Sequence, residues 1–103
     1  MSCLFYEWSS LKEVDLSNFY TYNVIDMSCL FYGCLSLKKI NLSNFNTYNV
    51  EDMMRLFDGC SSLISLDLSS FSNNSFNNLN VAFMFKYCKS LLNVDLSNLK
   101  RKY

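Results

Sequence analysis

The sequence predicts an α/β repeat fold: a right-handed solenoid with one parallel sheet and short helices or helical turns on the opposite face. Three observations predict it. One pattern returns four times at offsets of 26, 26 and 28 residues, one half of each unit alternates like a strand, and the other half is spaced like a short helix. Self-similarity at such a period marks stacked repeats, in which each unit buries its apolar side only against its neighbours.

The pattern is legible in columns. Ser10 to Ser17, of the form Ser-Leu-x-x-aliphatic-x-Leu-Ser, recurs at Ser36 to Ser43, Ser62 to Ser69 and Ser90 to Ser97. A second block keeps step as Leu4-Phe5, Leu30-Phe31, Leu56-Phe57 and Met84-Phe85. The two extra residues of the third spacing fall in the polar stretch Ser72 to Asn78. The chain then divides into repeats at about 1–26, 27–52, 53–80 and 81–103, all within a single repeat domain, 1–103. A fragment of a longer array and an unusually short member would both look like this.

Strands are expected first. Ile40 and Leu42 alternate with Lys39, Asn41 and Ser43, the period of two that belongs to a strand with one buried face. Strands are therefore placed at about Glu13–Leu16, Lys39–Leu42, Ser65–Leu68 and Asn93–Leu96, pairing in parallel and in sequence order. Helices come next. Met53, Leu56, Phe57 and Cys60 fall at i, i+3, i+4 and i+7, one face of a short helix. Asn49 stands where an N-cap belongs, Glu51 and Asp52 suit the positive end of the dipole, and Gly59 stands where two turns should stop.

Composition narrows function by what is missing. The chain holds nine basic and nine acidic residues, so no global field draws nucleic acid or an anionic membrane. Its only basic cluster, Lys100-Arg101-Lys102, is most simply a solvated end. No histidine occurs, which removes the commonest general base and the commonest zinc ligand. Without proline and with only Gly33 and Gly59, there is no glycine-rich phosphate loop. Apolar runs such as Cys29 to Tyr32 are too short to span a bilayer, which takes about 20 residues. No cofactor is implied, and no membrane-spanning segment.

The columns Met27-Ser28-x-Leu30-Phe31-x-Gly33-Cys34-x-Ser36-Leu37, then Asn41 to Thr47 and Asn49-Val50, resemble the BspA-like leucine-rich-repeat proteins of bacterial and protist surfaces. The resemblance covers essentially the whole chain and implies a leucine-rich-repeat-like solenoid with an adhesion or host-interaction role, secreted or at the cell surface. Phe19, Phe45, Phe71 and Leu99 occupy the usual Asn column of that repeat, so an apolar spine is expected in place of an Asn ladder.

Candidate sites follow from the columns left outside the core. Cys34, Cys60 and Cys88 share one column and Cys3 and Cys29 another; they lack the close pairs of a zinc site and read as small packing residues. On the exposed strand face stand Asp15, Asn41, Asp67 and Asp95 in one column and Lys39 in the next. Paired carboxylates do catalyse glycoside cleavage, but in a cleft and with one of them perturbed, which an open face does not provide. Tyr22 and Tyr48 share an outer loop column, and exposed tyrosines bring large contact area at low entropic cost. No catalytic or metal-binding residue is assigned. The expectation is a non-catalytic scaffold that binds a protein or glycan partner through Asp15, Lys39, Asn41, Asp67, Asp95, Tyr22 and Tyr48. The alternative is a purely structural spacer. End-to-end self-association is also expected, because neither terminal repeat carries a polar cap.

Overall fold

Where one aliphatic residue sits between two polar ones the chain extends: Glu13–Asp15 forms β1 and Lys39–Asn41 forms β2. Two shorter strands follow, β3 at Ser65–Leu66 and β4 at Asn93–Val94. The structure is a computed structural model and describes residues 1–74 and 78–99. The basic run at 100–102 and residues 75–77 of the expected insertion lie outside the described residues. β1 pairs in parallel with β2, with Val14 opposite Ile40, and β3 pairs in parallel with β4, with Leu66 opposite Val94. Each register is the repeat offset itself. Parallel bridges from Asp26 to Asp52 and from Asp52 to Asn80 mark a second line along which successive coils meet.

Two expectations from sequence are corrected here. The strands form two separate two-stranded sheets instead of one sheet, and no helix occurs among the described residues. The fold is therefore not a helix-bearing leucine-rich-repeat solenoid but a small body of 36 × 28 × 20 Å built from strands and turns. The turn segment shows why. An α-helix sends each N–H to the carbonyl four residues back. In repeat three, Leu56 donates to Met53 O (3.2 Å), Asp58 to Arg55 O (3.2 Å) and Cys60 to Phe57 O (3.0 Å), all three residues back. The intervening N–H groups leave the segment altogether: Arg55 donates to Ala82 O, Phe57 to Met84 O and Gly59 to Lys86 O, at 2.8–2.9 Å. Half of the amides close turns and half tie one coil to the next.

That alternation needs left-handed backbone at fixed places. Cys3, Cys29, Arg55 and Phe83 have φ of 59°, 57°, 58° and 55°, and Glu7, Gly33, Gly59 and Tyr87 have 54°, 75°, 86° and 62°. Each set is one repeat column. Gly59 does not end a helix; it fills a position where a Cβ would stand 3.3 Å from the backbone of Gly33. Asn49 caps nothing either, its Nδ2 donating to Tyr22 O in the neighbouring coil (2.9 Å).

Packing follows the columns. Leu30, Leu56 and Met84 are buried in line, as are Leu37 with Leu63, Leu42 with Leu68 and Cys34 with Cys60. Phe5, Phe31, Phe57 and Phe85 stack as a ladder, with ring centroids 5.3, 5.6 and 5.9 Å apart and planes within 5° of parallel. The expected apolar spine is present between Phe45 and Phe71, stacked at 6.2 Å. Full burial of such side chains stabilises by about 1.5–3 kcal/mol each. A column that sequence reading passed over holds Thr21 and Thr47, both buried. Thr47 Oγ1 donates to Ser72 O (2.6 Å) and accepts from Ser72 N–H (2.9 Å), and Thr21 does the same with Asn46. Each hydroxyl thus satisfies both backbone groups of the coil beside it.

Candidate binding surfaces

The seven residues singled out from sequence are all exposed, but they fall in three places. Glu13, Asp15, Lys39 and Asn41 line a shallow hollow of about 300 Å³ over β1 and β2. Asp67 and Asp95 line a second, of about 400 Å³, over β3 and β4. Tyr22 and Tyr48 flank a third and larger one, of about 520 Å³, at the loop edge. β2 and β3 are not paired, so the strand face is carried by two separate two-stranded sheets.

The acidic column has a local task. Asp15 Oδ1 accepts from Ser17 N–H (2.9 Å), Asp67 Oδ1 from Ser69 N–H (2.9 Å) and Asp95 Oδ1 from Ser97 N–H (2.9 Å). Asn41 makes the same bond to Ser43 N–H (3.0 Å). These are Asx turns, which end each strand two residues on. The hydrogen bonds from Ser17 and Ser69 hold the carboxyls of Asp15 and Asp67 below the ordinary carboxylate value, and the backbone N–H of Ser97 does the same for Asp95. The Asp67 charge opposes that shift at Asp95. Both carboxylates of the neighbouring pair are therefore ionised, and neither is tuned as a proton donor.

The loop-edge hollow is different in chemistry. Tyr22 and Tyr48 keep 60% and 45% of their surface exposed, and Ser43, Asn44, Asn46 and Ser70 add hydroxyls and amides with no formal charge among them. Phe45 forms an apolar floor. The geometry is held by the repeat: Asn46 Oδ1 accepts from Tyr48 N–H (3.1 Å), Tyr48 O accepts from Asn74 N–H (2.9 Å), and Tyr22 O is bound by Asn49. Aromatic faces beside neutral hydrogen-bonding groups suit a polar, uncharged ligand. The rings on the turn side face the chain's own cations instead. Arg55 lies 4.7 Å from the Phe83 centroid while pairing with Asp58 (2.7 Å), and Lys86 lies 5.1 Å from that of Tyr87.

A family model described as "Mycoplasma protein of unknown function, DUF285" matches residues 1–102. The chain belongs to this family. No curated protein and no solved structure matches it. Membership in DUF285 brings no activity with it.

Cysteines complete the inventory. All five are free. Cys34, Cys60 and Cys88 point each Sγ at a carbonyl of the preceding coil, those of Phe5, Phe31 and Phe57, at 3.2, 3.3 and 3.1 Å. Burial pushes all three thiols above their ordinary value, Cys60 the furthest. Raised thiols are poor nucleophiles and poor metal ligands. Among the described residues no cluster of cysteine and acidic side chains could hold a metal ion, and no helix is long and apolar enough to cross a membrane.

Proposed function

We propose that this chain is a non-catalytic recognition module, of the adhesion or surface-interaction type, that takes a polar and uncharged protein or glycan segment at its loop edge. The observation that carries the reading is the hollow between Tyr22 and Tyr48, with its exposed rings and neutral amides and hydroxyls. Tyrosine supplies contact area with few rotors to freeze, and side-chain amides and hydroxyls adapt to a partner's hydrogen bonds. A location at the cell surface or outside the cell belongs to this proposal and rests on the resemblance to BspA-like proteins. The spacer reading has its own support on the strand face, where the Asp15, Asn41, Asp67 and Asp95 side chains are engaged in turns.

The test uses neutral oligosaccharides and uncharged Ser/Asn-rich peptides as probes, followed by the aromatic NMR signals of the tyrosines. Binding should shift Tyr22 and Tyr48 selectively and be lost in the Tyr22→Ala, Tyr48→Ala double variant. Probes that bind equally well to that variant, or none that bind at all, would favour the spacer.

A further inference from the structure

The two cysteine columns differ in everything that governs thiol chemistry. Cys3 and Cys29 stand one repeat apart at the same place in neighbouring coils, with φ of 59° and 57°. Their side chains therefore leave the backbone in the same direction. Rings just beyond them measure the distance between these coils: Phe5 and Phe31 centroids lie 5.3 Å apart and those of Tyr6 and Tyr32 4.9 Å, with planes within 7° of parallel. A disulfide joins Cα atoms about 4.4–6.8 Å apart, and the coil spacing falls inside that range. Cys3 Sγ is turned toward the second coil, 3.8 Å from Ser28 O, and the thiols of Cys3 and Cys29 hydrogen-bond to each other.

Exposure separates the columns as well. Cys3 is exposed, and Cys29 is only half-buried although coils pack on both sides of it. Arg55, next in the column and also in a middle coil, keeps 32% of its side chain exposed. The outer column thus faces solvent in the middle of the stack. Cys34 and Cys60 of the inner column are fully buried, and each holds its Sγ against a carbonyl of the preceding coil.

From this contrast we propose that Cys3 and Cys29 form a reversible disulfide site, oxidised by exchange with a low-molecular-weight disulfide of the glutathione type. Cys3 gives up its proton, and its sulfur attacks one sulfur of the oxidant. A mixed disulfide forms and the first reduced thiol leaves with a proton. Cys29 then gives up its proton and attacks Cys3 Sγ, closing the protein disulfide and releasing the second thiol. The two electrons lost by the protein reduce the oxidant, and the two protons end on the thiols released. Burial and the Cys3 thiol beside it push the Cys29 thiol above its ordinary value, while Arg55 draws it back. That disfavours direct attack on an oxidant in solution and leaves the short intramolecular step to Cys29. The bond adds a covalent tie to the seam already made by Cys3 N–H to Ser28 O and Phe5 N–H to Leu30 O, both 3.0 Å. It is separate from the Tyr22–Tyr48 hollow and stands or falls without it.

Oxidised glutathione added to the folded chain tests this, with free thiols then blocked by iodoacetamide and the products read by mass spectrometry. The monomer should lose two hydrogens, and two of its five thiols should escape blocking. Fragments should join Cys3 to Cys29, and dithiothreitol should restore all five thiols. Cys3→Ser and Cys29→Ser each replace one sulfur on the open column and should abolish the bond. Cys29→Ser should also retain glutathione on Cys3, because the resolving thiol is gone. In urea the pairing should change, since an unfolded chain closes short loops more readily and Cys29 should then prefer Cys34. A folded chain that keeps five blockable thiols overturns the proposal, as does a parent that holds glutathione on Cys3 without closing the bond. So does a bond found only between two copies, or the same pairing in urea as in the folded chain.

Discussion

The turn side and the strand side of this molecule hold the same coils together by different means. On the turn side every seam carries a row of backbone bonds, and the row between the second and third coils runs from Cys29, Phe31 and Gly33 to Met54, Leu56 and Asp58 at 2.8–2.9 Å. On the strand side the backbone joins the first coil to the second, through Lys38 N–H to Lys12 O (2.9 Å), and the third to the fourth, through Leu92 N–H to Ile64 O (2.7 Å). The matching bond from Ile64 N–H to Lys38 O is absent. Serine hydroxyls stand on either side of the gap: Ser62 Oγ donates to Leu35 O (2.7 Å) and Ser70 Oγ to Leu42 O (2.8 Å). A regular backbone row needs every coil to repeat the same conformation, as the left-handed columns do on the turn side. Where the repeat is looser, side chains carry the seam.

The comparison predicts where damage is most costly. Phe57 lies fully buried between Phe31 and Phe85, under the unbroken row. Phe57→Ala should cost about 3–5 kcal/mol, because the cavity cannot close without bending that row. In urea titrations the whole chain should lose its cooperative transition. A midpoint close to the parent's would mean that the turn side is less rigid than its hydrogen bonds imply.

A smaller effect is expected at the strand-side gap. Replacing Ser62 or Ser70 with Ala removes one hydrogen bond to a carbonyl of the second coil, about 0.5–1.5 kcal/mol each. Amide exchange sharpens this. The Ile64 N–H, with no acceptor among the described residues, should exchange much faster than those of Lys38 and Leu92. In the double serine variant, faster exchange should spread to Leu66 while Phe31 and Phe57 stay protected. Uniform loss of protection on both sides would show that the two sides open as one unit.

Much of this was legible in sequence, and the misses share one cause. The columns gave the parallel registers, since Val14, Ile40, Leu66 and Val94 pair at the offsets read from the repeat. They also gave the buried positions of Phe31, Phe57, Leu37 and Leu42. What they did not give was the conformation between columns. Met53, Leu56, Phe57 and Cys60 are spaced as in a helix, yet consecutive turns closing three residues back satisfy the same spacing. The residue that separates the two cases is Arg55, whose left-handed φ of 58° breaks any helix, and an arginine announces no such thing. Gly33 and Gly59 share that left-handed conformation in the column of Glu7 and Tyr87, but from sequence Gly59 reads as the end of a helix. Among the candidate binding residues, the charge of the Asp column is plain in sequence and its turn-forming oxygen is not. Ser17, Ser43, Ser69 and Ser97, always two residues on, were the available clue.

The smallest expected effect concerns that column and tests whether its charge matters at all. Asp15, Asp67 and Asp95 have folded-state values below the ordinary 3.8 because serine groups bond their ionised form. A depressed value means that the unfolded chain binds protons first as pH falls. Stability from these groups is therefore fully present above the ordinary carboxylate value, declines below it, and is gone once pH passes the folded value. Asn41 already builds the same turn without a charge, through its Oδ1 and Ser43 N–H. The variant Asp15→Asn, Asp67→Asn, Asp95→Asn should then keep the parent's melting temperature at neutral pH to within a few degrees and lose less of it at pH about 3. Such a result would make the column a set of turn formers in which Asp and Asn are interchangeable. A variant that melts far lower at neutral pH would show that the carboxylate itself, and not only its oxygen, holds the strand ends.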